Sequence, residues 1–173
     1  MTTKSRTSFV MPEGSLVVDS GPLIAFARIG QLALLPHLGS RIVIPPAVWQ
    51  EVTLSNQDAP GAHEVRQIPW LDRQAPDPLR VEPLTILLGR GEAEVIALAQ
   101  TLPQSMVVLD DARARRVAER LSMQRIGTVG LLRRAKRMGL IALIRPHLDA
   151  LQAQGIYMRQ ALIDAVLNDV GEG

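Results

Sequence analysis

The sequence contains no cysteine. That excludes disulfides, thiolate zinc sites and a cysteine nucleophile, and it suits a reducing compartment. Histidine is scarce: His37, His63 and His147 stand far apart without ligand spacing, so no imidazole-based metal site is expected. No stretch reaches the roughly 18 consecutive apolar residues of a membrane span, so no membrane partner is expected. Residues 1–14 carry Lys4 and Arg6 but lack the apolar region and small-residue cleavage site of a secretory leader. They are read as a flexible start to a cytoplasmic protein. Charge of one sign is also missing overall, since 19 basic against 17 acidic side chains leave only +2, too little to argue a polyanionic partner from the total.

What is present is one domain's worth of chain. A chain of 173 residues can bury roughly 70% of its unfolded surface. It is organised around Leu16-Val17-Val18-Asp19-Ser20-Gly21-Pro22-Leu23-Ile24, where an apolar run meets an acid, a tight turn and a helix whose first turn holds Pro22. Asp19 is thus expected at the carboxyl end of a buried strand, the edge of an α/β sheet where ligands bind.

The pattern recurs. Arg41-Ile42-Val43-Ile44 reads as a second buried strand, and Pro46 opens a helix bearing Glu51. Residues 55–80 are irregular, with a helix near Ala62 to Gln67, and Leu79 to Leu84 are expected to form a short strand. Glu92 to Gln100 read as a helix in which Glu92, Val95, Ile96 and Ala99 share a face. Met106 to Leu109 form the next long strand, ended by Asp110-Asp111 and followed by a helix over Ala112 to Leu121. Arg125 to Gly130 read as strand and turn before a helix over Leu131 to Met138. Pro146 to Gln154 and Arg159 to Asn168 read as two more helices, parted by Gly155. Alternating strands and helices predict a three-layer α/β/α domain with a central, mostly parallel sheet over residues 15–145. Residues 146–173 are expected to be a helical extension, packed on the domain or lying at an interface.

Each acid alone has a structural reading, as a helix cap or a dipole partner. Together, Asp19, Glu51, Glu92 and the Asp110-Asp111 pair are expected to converge on one sheet edge. Carboxylates within about 4 Å repel by roughly 4 kcal/mol per pair at an effective dielectric near 20. Such a cluster stays ionised beside a cation, and oxygen ligands without histidine or cysteine favour Mg²⁺ or Mn²⁺. The matching chemistry is metal-assisted phosphodiester hydrolysis. From Arg113 to Arg137 there are nine Lys or Arg, against Glu119 within the run and Asp111 just before it. Arg113, Arg116 and Arg133 are candidates for nucleic-acid contacts; the plainer reading makes such arginines the solvated faces of amphipathic helices.

The spacing of Val17-Val18-Asp19-Ser20, Pro45 to Val52, Gly91 to Ala99, Val107 to Arg115 and Gly127 to Leu132 resembles the PIN-domain superfamily, and within it the VapC-like toxins. The resemblance covers about residues 15 to 145. It implies an Mg²⁺- or Mn²⁺-dependent ribonuclease that forms a homodimer and is inhibited by a small antitoxin protein. By it, Asp19 is the first metal ligand, with Ser20 supporting it. Glu51 is the second acid, Glu92 the third, and Asp110 or Asp111 the fourth. Thr128 matches the polar residue after the last core strand. Glu94 fits less well, being about 200° from Glu92 around the helix. Leu109 stands where many such nucleases have threonine, and the doubled acid leaves open which aspartate meets metal.

Other catalytic frames fail at single positions. A haloacid-dehalogenase phosphotransferase needs an acid where Gly21 stands, and a receiver domain needs a lysine within Ile126 to Leu132. A G-x-S-x-G elbow and a P-loop are both absent. The remaining rival is a PIN-like module that binds RNA or protein without cutting.

Overall fold

A computed structural model describes residues 13–54 and 60–173. In chain order, strand β1 (Ser15–Val18) leads into α1 (Ser20–Arg28) and a 3-10 helix over Leu32–His37. Then come β2 (Arg41–Ile44), α2 (Pro46–Thr53), α3 (Ala62–Arg66) and β3 (Leu71–Arg73). Next are α4 (Pro78–Val81), a 3-10 helix over Glu82–Ile86, and α5 (Arg90–Ala99). β4 (Met106–Val108), α6 (Ala112–Arg120), β5 (Arg125–Ile126), α7 (Thr128–Arg137), α8 (Arg145–Ala153) and α9 (Gln160–Asp169) complete the described chain.

The five strands form one sheet in the order β3-β2-β1-β4-β5, and every adjacent pair is parallel. Parallel strands covered on both faces read as continuous apolar runs. Val17, Val18, Val43, Ile44, Val107 and Val108 are accordingly fully buried. The helices supply the covering layers, and their buried residues join those of the strands in one apolar cluster. Leu148, Leu151, Ile163, Val166 and Leu167 belong to that cluster, so α8 and α9 bury their apolar faces against the body of the protein. Arg137 of α7 ties to Asp169 of α9 through two hydrogen bonds of 2.7 and 2.9 Å.

The chain winds from β1 to β2 on one side and places β4 on the other, so the strand order reverses between β1 and β4. At such a switch point the connections diverge and leave a crevice above the strand ends. Asp19 and Asp110 follow the two strands that border it.

One expected strand is corrected. Leu79 to Leu84 are helical, because Asp77 caps the turn by accepting from the Leu79 N–H at 3.0 Å and Pro78 occupies the first turn of α4. Pro83 has no N–H to give a strand ladder. The sheet instead gains β3, a three-residue edge strand aligned Ile42↔Leu71 to Ile44↔Arg73, too short to show alternation. The last basic helix also starts earlier than expected, at Thr128. The expectation of a flexible start falls largely on residues outside those described, as does the beginning of the irregular stretch at 55–59.

Candidate functional site

Asp19 extends the contact of β1 with β4 by donating its backbone N–H to the Val108 carbonyl at 3.1 Å. Its backbone is extended (φ −79°, ψ 165°) and it stands at the N-cap of α1. The side chain is only 7% exposed, and its Oδ1 is buried without a hydrogen-bond partner. Burial is the main cause that pushes the carboxyl up from 3.8 to about 7; the Ser20 backbone N–H opposes this, and the charges of Glu51, Glu92 and Asp110 raise it further. Asp19 is therefore the acid on which the others bear.

Glu51 comes from α2 and lays its carboxylate over Gly91 at the start of α5. A Cβ at position 91 would lie 2.5 Å from Glu51 Oε1 and 2.9 Å from Oε2, so hydrogen at that position lets the acid approach. Glu92, one residue on, accepts from the Gly89 N–H at 3.1 Å. Burial raises its carboxyl first; the Gly89 bond opposes it, Asp111 and Glu51 add to it, and Arg113 lowers it.

The doubled acid divides its work. Asp110 is gripped by Thr128, whose backbone N–H donates to Oδ1 at 2.8 Å and whose hydroxyl donates to Oδ2 at 2.6 Å. Gly127 leaves room for this, since a Cβ there would meet Asp110 Oδ1 at 2.8 Å. Asp111 caps α6, its Oδ1 accepting from the N–H groups of Arg113 and Ala114 at 2.9 Å each. Asp110 thus bears on Asp19, whereas Asp111 bears on Glu92.

The sequence reading undervalued Glu94. Buried to 6% exposure, it accepts from the Ala47 N–H at 2.9 Å and from Arg90 Nε at 2.8 Å. An acid on α5 thereby caps α2, which has no side-chain cap of its own, and so sets the helix that carries Glu51. The available signal was the Arg90–Glu94 spacing of one helical turn. The small residues Gly91 and Gly127 were also not singled out for these contacts.

The basic flank separates into two groups. Arg134 donates to the Leu38 carbonyl at 3.2 Å and Arg115 to the Leu109 carbonyl at 2.9 Å. Arg125 pairs with Glu119 at 2.9 Å and Lys136 with Glu172 at 3.2 Å. These hold structure. Arg113 and Arg116 instead edge a shallow depression of about 460 Å³ shared with Glu92 and Asp111. Arg116 and Arg133 also line a groove of about 600 Å³ that reaches Asp110, together with Arg115 and Arg125, and Arg133 pairs with Asp169 at 3.6 Å.

The donors facing the crevice are all oxygens, and one of them is an orphaned buried carboxylate oxygen. That combination suits a hard divalent cation with retained waters. Among the described residues, no three acid or histidine side chains are drawn together as a metal-holding group. Among the described residues, no helix is long and apolar enough to cross a membrane.

A family model described as a PIN domain matches residues 15–172, from the first strand through α9. None of the curated proteins matches the chain.

Proposed function

We propose a function from one premise: the chain belongs to the PIN-domain family. PIN domains are generally nucleases and typically use divalent metal ions, so the coarse reading is a nuclease-type hydrolase acting on nucleic acid. The finer reading is an Mg²⁺- or Mn²⁺-dependent endoribonuclease, the toxin of a toxin–antitoxin pair. The observation that carries it is the buried, unpartnered Oδ1 of Asp19 at the switch point, with Glu51, Glu92 and Asp110 raising its proton affinity.

In this reading Asp19, Glu92 and Asp110 would hold the ion, and Asp111, expected from the sequence as an alternative ligand, caps α6 beside Glu92. When bound, the ion would neutralise the acids, promote attack of water on phosphorus and stabilise the departing oxygen. Glu51, placed by α2 and Gly91, orients the attacking water and accepts its proton as the phosphorus–oxygen bond breaks. Thr128 keeps both oxygens of Asp110 aimed, and Ser20 steadies Asp19 through its N–H. Arg113, Arg116 and Arg133 engage phosphates on either side of the cut. A homodimer and a small antitoxin protein complete the proposal. A second reading, RNA binding without catalysis, draws on the acids not being gathered into a ready group.

The test is cleavage of labelled RNA by the purified protein. Cleavage with Mn²⁺ that disappears with EDTA and in Asp19→Asn is the expected result. Unchanged cleavage by Asp19→Asn would remove these acids from the chemistry, and retained RNA binding without cleavage would establish the second reading.

A further inference from the structure

The loop joining α8 to α9 brings an aromatic side chain to the candidate site. Tyr157, the single tyrosine of the chain, is 86% exposed. Its backbone is nonetheless anchored. The preceding Ile156 N–H donates to the Leu151 carbonyl at 3.0 Å, and the carbonyl of Arg159 accepts from Leu162 and Ile163 at 2.9 and 3.2 Å. The next residue, Met158, is buried. A large ring is thus held outward by a fixed loop, away from the apolar core.

Tyr157 lines a cavity of about 540 Å³ whose walls include Val129, Ile156 and Leu162, together with Asp110 and Thr128. That size lies within the range of small-molecule pockets, which are mostly apolar with a few convergent polar groups. The cavity shares Asp110, Val129, Arg159 and Leu162 with the neighbouring groove, which Arg116 and Arg133 also line. Among the described residues Arg116 and Arg159 have no ion-pair partner, and they line a groove whose five arginines outnumber its two acids, Asp110 and Glu119. An apolar slot with an aromatic edge therefore adjoins a basic track, and Asp110 belongs to both. Proteins that hold single strands use that pairing, with arginines following the phosphates and rings stacking on bases. A duplex keeps its bases stacked inside and cannot offer one to such a slot.

We propose that this cavity is a nucleobase subsite. Tyr157 stacks on a base, Arg159 holds the adjoining phosphate, and the protein selects single-stranded RNA. This rests on the nuclease reading for its substrate, but its test does not require cleavage.

Binding is measured by fluorescence anisotropy in EDTA, using short labelled RNA of mixed sequence. The same strand is also presented within a duplex and as an abasic oligoribonucleotide. Stacking one base on an aromatic ring corresponds to about a tenfold change in affinity. Tyr157→Ala is expected to lose about that factor on the single strand, Tyr157→Phe to keep wild-type affinity, and neither to alter binding of the duplex or abasic strand. Equal single-strand affinity in wild type and Tyr157→Ala overturns the subsite, leaving the loop to a protein partner. So does an equal loss on the abasic strand, and so does the absence of single-strand binding by the wild type. Tyr157-dependent binding without Mn²⁺-dependent cleavage would keep the subsite and refute the nuclease reading. Metal-dependent cleavage with Tyr157-independent binding would do the reverse.

Discussion

Replacing Asp19 by asparagine removes the charge while keeping nearly the same shape, and the protein without metal should become more stable. The carboxyl is pushed from 3.8 to about 7, chiefly by burial. Between those values the folded protein keeps a proton that the unfolded chain has released, so stability falls as pH rises through this window and the loss is complete above about 7. At about 1.36 kcal/mol per pH unit, holding Asp19 ionised costs on the order of 4 kcal/mol at pH 8 in the absence of a cation. Asp19→Asn carries no such cost. With about 2–4 °C per kcal/mol for a chain of this size, its melting temperature in EDTA should exceed the wild type's by about 10 °C at pH 8, and the gap should narrow steadily toward pH 4. Added Mn²⁺ should raise the wild-type melting temperature and leave the variant nearly unmoved, since a ligand stabilises only through the state it binds. Thermal melts over a pH series, with and without Mn²⁺, measure all three effects. A variant that melts below the wild type at pH 8 in EDTA, or a gap that does not change with pH, would refute the reasoning that Asp19 is a buried charge awaiting a counterion.

Two substitutions separate the site from its scaffold. Gly91→Ala should leave the fold intact, because alanine gains about 1 kcal/mol of helix propensity over glycine and the group it meets is the movable end of Glu51. Displacing that carboxylate by about an ångström should cut cleavage by about a hundredfold, and an unchanged rate would free Glu51 from the proposed role. Glu94→Ala should act in the opposite sense on stability, by leaving the buried Ala47 N–H without its acceptor and leaving Arg90 with Glu82 alone, at a cost of about 2 kcal/mol. Chemical denaturation should show it, and a loss below about 0.5 kcal/mol would mean that Glu94 does not anchor α2.

The strands β1, β2 and β4 were legible because a strand buried on both faces must be apolar along its length, and each is closed by an acid or by prolines. β3 was not, since Leu71-Asp72-Arg73 is an edge strand with no periodicity, and its pairing depends on β2 lying beside it. Position along the chain was also enough to bring Asp19 and Asp110 to one edge. It could not divide Asp110 from Asp111, because both follow the same strand. The division comes from what meets each of them in space: Thr128, eighteen residues away, for Asp110, and the first turn of α6 for Asp111. Gly91 beneath Glu51 and Glu94 beneath α2 are likewise contacts between helices that no local pattern records.

The acids of this chain are sorted by who donates to them. Asp111 takes two backbone N–H groups on one oxygen, and Glu94 takes one backbone N–H and one guanidinium. Burial alone would raise the carboxyl of Glu172, yet the N–H groups of Arg145 and Ile144, with Lys136, hold it below the ordinary range. These three are compensated from within the protein, and each locks a helix end. Asp19 sits as deep as Glu94 but has only the Ser20 N–H to set against its burial, with one oxygen unpartnered and the charges of Glu51, Glu92 and Asp110 around it. The fold satisfies Glu94, its other buried acid among the described residues, with a backbone N–H and a guanidinium, but leaves one oxygen of Asp19 unpartnered where the parallel sheet offers a crevice. In the proposed reading a bound cation would make the ionised form of Asp19 favourable, which the Mn²⁺ melts test directly.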